Sequence, residues 1–254
     1  MNSLMNIGIY QGAASLNACE KWQGILSQNI ASASVPGFRK TEASFASVLA
    51  DQQRMENGGR SPKEFKGVMP SSVTQFSLQQ GELRSTNNEL DFAIQGEGFF
   101  QIQRPNGQNG YTRDGQFRLN PERVLVTRQG FPLMGEGGPI TLRPEGGRIS
   151  INAEGSVIQG QQIVGKVAVY QIPGDQLERV GDGLLAPKDP AVQPGAIERP
   201  NVLNGYVEGS NVTPLNEMVN LIAVSRAYEA SQRIITANDE NTDKAIQILG
   251  NPNA

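Results

Sequence analysis

Histidine is absent from all 254 residues. That removes the usual general base, the commonest neutral metal ligand and every His-based triad. Cysteine occurs once, at Cys19, so no intrachain disulfide can form. Cys19 falls on an apolar stripe and reads as a small buried hydrophobe, not a reactive thiol. No run is long and apolar enough to span a bilayer, so no membrane insertion is expected. Gly8, Gln11, Gly12 and Asn17 interrupt the apolar residues near the N-terminus and no basic stretch precedes them, so a Sec signal is not expected. Lys and Arg number 22 against 25 Asp and Glu, a net charge of -3 with no basic cluster, which leaves no case for nucleic acid. Hydrophobic residues at 37% are sparse for one compact globule, while 29 Gly and 15 Pro call for many turns. Asp91, Glu97, Asp114 and Lys166 show no convergent pattern, and no cluster has metal-ligand spacing. Gly96-x-Gly98 lacks the strand–helix context of a dinucleotide loop and reads as a β-break. Neither a catalytic site nor a cofactor is expected.

What the chain does have is a helix-patterned segment at each end. Met5, Ile9, Gly12, Leu16, Cys19, Gln23, Leu26 and Ile30 recur in alternating steps of three and four residues. This predicts a helix over 3–32 with only two charges, Glu20 and Lys21, too few for a helix lying on a wet surface. It ends at Val35-Pro36-Gly37, where proline disfavours helical geometry at the preceding residue. Met218, Leu221, Tyr228, Ile235, Ile246 and Leu249 form the second stripe. Thr213 suits an N-cap, Pro214 the first helical position, and Glu217 the positive end of the dipole. The helix then runs to Gly250-Asn251-Pro252, about 33 residues and roughly 50 Å. Stripes of this kind are seams that need partner helices. Gly8, Gly12, Ala13, Ala14 and Ala18 permit close helix approach; Gln23 and Asn29 are candidates for fixing register; Arg226, Glu229 and Arg233 are spaced for ion pairs.

Between the helices the pattern changes. Residues 36–80 read as an extended connector with a helical piece around 42–53, and 54–70 suit a linker. From about 81 to 207, Phe92 and Ile94, then Phe100 and Ile102, alternate with polar residues. Asn106-Gly107 and Asn109-Gly110 mark a hairpin, and Asp114-Gly115 another turn. Without intervening helical patterns, an antiparallel barrel or sandwich is expected. Gly209-Ser210-Asn211 reads as a shaped turn, and Asn211-Val212-Thr213, though a glycosylation sequon, as a turn plus cap. The fold class is α+β: helical ends at 1–35 and 208–254, each carrying the seam of a coiled coil or bundle, around a mainly antiparallel β domain.

Several motifs resemble one family, the axial rod and hook proteins of the bacterial flagellum. Asn29-Ile30-Ala31 followed by Pro36-Gly37-Phe38-Arg39 is similar to its N-terminal signature, with Ser32 and Val35 departing from the usual Asn and Thr. Leu90-Asp91-Phe92-Ala93-Ile94-Gln95 and Tyr111-Thr112-Arg113-Asp114-Gly115 resemble its β-domain motifs. Val207-Glu208-Gly209-Ser210-Asn211-Val212, Met218-Val219-Asn220-Leu221-Ile222 and Arg226-Ala227-Tyr228-Glu229 resemble its C-terminal block. Gly135-Glu136-Gly137-Gly138-Pro139-Ile140, the strand Ile149-Ser150-Ile151 and Asp239-Glu240-Asn241 are similar to the proximal-rod branch, with the distal rod the nearest alternative.

The resemblance implies a structural, non-enzymatic subunit that polymerises with itself and other rod proteins into a torque-bearing tube crossing the periplasm. It implies export, unfolded, through the flagellar type III apparatus. The assembly interface it implies comprises Met5, Ile9, Gly12, Leu16, Leu26, Asn29 and Ile30 on the first helix and Pro36, Gly37 and Phe38 at its exit. Gly209, Ser210 and Asn211 stand at the entry to the last helix, with Met218, Leu221, Ile222, Arg226, Tyr228 and Ile235 along it. An adhesin or an enzyme has no need of two unpartnered helical ends.

Overall fold

The computed structural model describes residues 2–49, 68–144, 146–181 and 183–250. Two long helices, α1 (Asn2–Ala31) and α2 (Pro214–Gly250), flank a body of short strands. The chain divides into two compact units. One takes the described parts of Met1–Gln28, Ala43–Thr74 and Pro214–Ala254; the other takes Asn29–Glu42 and Gln75–Thr213.

The expected helical piece at 42–53 is not helical where it is described. Thr41–Leu49 is a strand, β1, paired in a two-stranded sheet with β2 (Val68–Phe76). Thr41, Phe45 and Val48 are β-branched or aromatic and suit a pleated surface. What decides the matter is a second strand supplying backbone partners, which one segment's periodicity cannot reveal. Residues 50–53 and most of the expected linker lie outside the described residues.

The β unit is built from antiparallel pairs. Its largest sheet has six strands in the order Leu177–Gly181, Leu184–Pro187, Asn109–Thr112, Phe99–Gln103, Val169–Gln171, Gly195–Ala196. The hairpin expected at 105–110 is present: Phe100 faces Thr112 and Gln101 faces Tyr111. Its loop closes through the Gly107 N–H donating to Arg104 O at 2.9 Å, with Gly107 at φ 77. A three-stranded antiparallel sheet spans Ile149–Ile151, Ser156–Gln159 and Gln162–Lys166. Phe92–Gln95 pairs with Asn201–Asn204, and Leu83–Ser85 with Tyr206–Glu208.

Successive side chains on a strand point to opposite faces, and here both faces are covered. Phe100 enters a large apolar cluster with Phe92, Ile94, Phe117, Leu125 and Leu133, while its neighbour Phe99 enters a second with Phe76, Tyr111, Ile172 and Leu177. Phe100 and Phe117 meet edge to face, centroids 5.5 Å apart, the arrangement that ring quadrupoles favour. Gly115 is obligatory in this packing, since a Cβ there would lie 1.6 Å from Phe92 O.

Candidate assembly site

In the helical unit, α1 and α2 touch along a mixed seam. A Cβ on Gly12 would lie 2.7 Å from Ile235 Cγ1, so glycine permits the approach there. The Ser15 and Ser231 hydroxyl oxygens are 3.3 Å apart, and Gln23 Nε2 donates to Ser225 Oγ at 3.3 Å. Contacts that climb α1 from Gly12 to Gln23 descend α2 from Ile235 to Ser225, so the helices run antiparallel. Ser225 and Ser231 donate to the carbonyls of Leu221 and Ala227 one turn back, which satisfies their protons within their own helix. Ala18, Leu26 and Val224 are buried, and Leu16, Leu221, Tyr228 and Ile235 are half-buried. Cys19, Trp22, Asn220, Ala223, Val224 and Ala227 enclose a mainly apolar slot of about 150 Å³.

Met218 lies off the seam within the chain. Met218 is 47% exposed and shares its face with Leu215, Val219 and Ile222, at 71%, 59% and 55%. Glu217 and Val224 are the buried neighbours of Leu221 on this helix. A step of three or of four back from Leu221 fits the sequence equally well, and packing selects Glu217. Arg226, Glu229 and Arg233 are exposed, and among the described residues no ion pair joins them. The side chains of Met5 and Ile9 lie outside the described residues; Ile30 is half-buried. Asn29 bonds the backbone of Thr41, its Nδ2 donating to Thr41 O at 2.9 Å and its Oδ1 accepting the Thr41 N–H at 3.0 Å. These two bonds cap the strand that follows.

The β unit contains the more elaborate construction, at the place where chain leaves α1 and returns toward α2. Three passages meet there: 37–40, 77–82 and 208–212. The Gly37 N–H donates to Glu208 O at 2.8 Å, the Ser77 N–H to Lys40 O at 3.0 Å, and the Gly209 N–H to Glu82 O at 2.8 Å. Asn211 is the polar hub. Its Oδ1 accepts the Lys40 N–H at 2.7 Å, and its Nδ2 donates to Ser77 O and Gln79 O at 3.2 and 2.9 Å. Its own N–H reaches Phe38 O at 3.3 Å. The sequon asparagine therefore spends its amide on the fold. Backbone approach is close enough that a Cβ on Gly81 would lie 2.1 Å from Gly209 O, and one on Gly37, at φ 67, would lie 2.2 Å from Arg113 C.

Beneath the passages lies a buried ionic triad. Glu208 is fully buried; its Oε1 is 2.8 Å from Arg39 Nη2 and its Oε2 is 3.0 Å from Arg113 Nη1. Oε1 also accepts the Gly81 N–H at 2.8 Å. Arg113 donates further to the carbonyls of Ile94 and Gly96, and Arg39 to that of Gln79. Burial pulls the Arg113 guanidinium down to about 10, against the raising effect of Glu208, with Arg39 as a like charge lowering it further. Burial lowers Arg39 too, opposed by Glu208. Arg179 completes the site: its guanidinium carbon stands 4.3 Å from the centroid of Phe38 and 5.2 Å from that of Phe76, and its Nη2 donates to Arg39 O at 3.0 Å.

Of the expected interface residues, Phe38 is thus buried inside this junction, and Gly37, Gly209 and Asn211 are bonded into it. Ser210 closes the turn by accepting the Val212 N–H at 3.2 Å, and Pro36 is half-buried beside them. Trp22, Thr41, Gly81 and Arg179 were not singled out as site residues. Nothing local in the sequence marks Arg179, whose role depends on two aromatics more than a hundred residues upstream. Arg39, Arg113 and Glu208 stood inside recognised motifs but show their mutual pairing only in three dimensions.

These motifs are shared with known proteins. Residues 93–159 match the family described as flagellar hook protein FlgE/F/G D1 domain, and 203–248 match flagellar basal body rod FlgEFG protein C-terminal. The flagellar basal-body rod protein FlgF of Salmonella typhimurium (strain LT2) is 31% identical over 96% of this chain and 99% of its own length. That of Mesorhizobium japonicum is 32% identical over 97% and 99%. The chain belongs to the flagellar basal-body rod protein family. A second branch is also near: the rod protein FlgG of Buchnera aphidicola subsp. Acyrthosiphon pisum is 34% identical to this rod-family chain over 92% of it and 96% of the relative. Both matched segments include parts of the junction, with Arg113 in the first and Glu208 and Asn211 in the second.

Proposed function

We propose that the chain is a structural subunit of the proximal flagellar rod, polymerising through its terminal helices into a tube that transmits torque. The observation that carries this is the near-full-length likeness to relatives named FlgF, at 31% and 32% identity. The geometry supports it. The helices already pair along one seam, and the row Leu215, Met218, Val219 and Ile222 remains outward, an apolar surface for helices of neighbouring subunits. Terminal helices of many copies would form an inner coiled-coil layer, with the β unit outside it. A surface offered to a different patch on the next copy gives an open helical polymer, not a closed dimer.

The partners are further copies, the adjoining rod proteins and, before assembly, the flagellar type III export apparatus. The location is the basal body, along the rod through the periplasm. No helix of the described residues is long and apolar enough to cross a membrane. The family is structural, and among the described residues no group of His, Cys, Asp and Glu is placed to hold a metal ion.

The test is a cryo-EM map of basal bodies from the parent bacterium with this chain labelled. Density for the label between the export gate and the distal rod is expected. A distal-rod reading is favoured by the identity to FlgG relatives, 32%, 33% and 34% in three Buchnera aphidicola subspecies. Label density adjoining the hook would establish that alternative, and label absent from the rod would overturn both.

A further inference from the structure

Residues 208–212 make almost all their polar contacts with two other passages and few with the apolar core. Glu208, Gly209 and Asn211 bond to 37–40 and to 77–82, and Glu208 pairs with Arg39 and Arg113. None of residues 208–212 belongs to either apolar cluster. Val207 just before the segment and Val212 at its end are both buried. The sequence separations are long: Asn211 lies 171 residues from Lys40 and 134 from Ser77.

We propose that residues 208–212 form a strap, locked by Glu208 and Asn211, that docks and releases as a unit while the β core stays folded. Local openings of this kind follow cooperative blocks of structure, and their free energy is set by what the block alone gives up. Lifting the strap exposes polar groups to water, which satisfies them, and leaves the Phe100 and Phe99 clusters intact. Docking it brings one carboxylate between two guanidiniums that otherwise repel across a buried space. Glu208 is thus a positioning residue. Its charge lets Arg39 and Arg113 be buried together, and that burial joins the passage leaving α1 to the passage leading to α2. This inference concerns the monomer and does not depend on the position of the chain in a rod.

Native-state hydrogen exchange on the purified full-length chain, at increasing low urea, tests it. The amides of Gly37, Lys40, Gly81, Gly209 and Asn211 are expected to exchange together, through an opening with a smaller urea slope than the core amides Phe92, Gln101 and Leu125. In Glu208→Gln the strap amides are expected to lose roughly a hundredfold or more of their protection, as removal of one member of a buried ion pair entails, with core amides unchanged. If that variant does not fold, Arg39→Gln serves instead. It keeps the Glu208–Arg113 pair and should speed exchange at the same five amides alone. Strap and core amides sharing one urea slope, or protection lost evenly across the β unit in the variant that folds, would overturn the proposal.

Discussion

The two units solve packing in opposite ways. The β unit buries a continuous cluster around Phe92, Phe100, Phe117 and Leu125, covers both faces of its main sheet and closes Glu208, Arg39 and Arg113 into a buried triad. The helical unit joins its helices through a glycine, serine hydroxyls and half-buried side chains, and among its described residues leaves five large apolar side chains of α2 exposed. A long helix stripped of tertiary packing is marginal in water. The β unit encloses its apolar clusters within one chain, whereas α2 leaves apolar side chains exposed, the surface proposed for other copies.

Trp22, the only tryptophan, sits in the helical unit and reports on it separately. Urea unfolding followed by Trp22 fluorescence should come at lower urea than unfolding followed by the amide signals of the β strands. Coincident transitions would break the distinction. The largest single effect is expected from Phe100→Ala, which should cost the β unit about 3–5 kcal/mol and leave the Trp22 midpoint in place. Gly12→Val should do the converse at about 1–3 kcal/mol, because the new side chain collides with Ile235, and only the fluorescence transition should shift.

The Tyr111 phenol offers a pH probe of the β unit. Burial, then the neighbouring Tyr170, raises it from 10.0 to about 12. The folded state therefore holds the proton more tightly than the unfolded one. The contribution is fully present below pH 10 and is lost as pH rises toward 12. Ultraviolet difference titration should show one phenol ionising late, and a Tyr111→Phe variant should lack that step. The smallest effect on the monomer is expected from Ile222→Asp, within about 0.5 kcal/mol as for exposed sites generally. Sedimentation and motility complementation should nevertheless show assembly lost. Normal assembly would mean that the outward row is not an interface.

Composition and periodicity sufficed for the outline. Apolar periodicity, with the Thr213-Pro214 start signal on the second, placed both helices within a few residues of Asn2–Ala31 and Pro214–Gly250, because an amphipathic helix writes its period into the chain. The hairpin at Asn106-Gly107 and the strands at Phe92–Gln95 and Phe99–Gln103 were equally legible, since turns and alternation are local. The strand at Thr41–Leu49 was not, because its partner starts nineteen residues beyond its end. Which residues of α2 pack within the chain was not legible either: Glu217, not Met218, is buried beside Leu221, and spacing alone does not choose between adjacent helical positions.

By itself, then, the sequence determined the elements, the absence of histidine chemistry and the motifs that tie the chain to the rod family. Only the tertiary structure decided that Glu208 serves two arginines, that Asn211 ties three passages, and which row of α2 faces outward. Local signals arise from residues a few positions apart, where backbone geometry fixes the spacing. A buried ion pair or a close glycine contact depends on where distant segments end up, and no period in the chain encodes that distance.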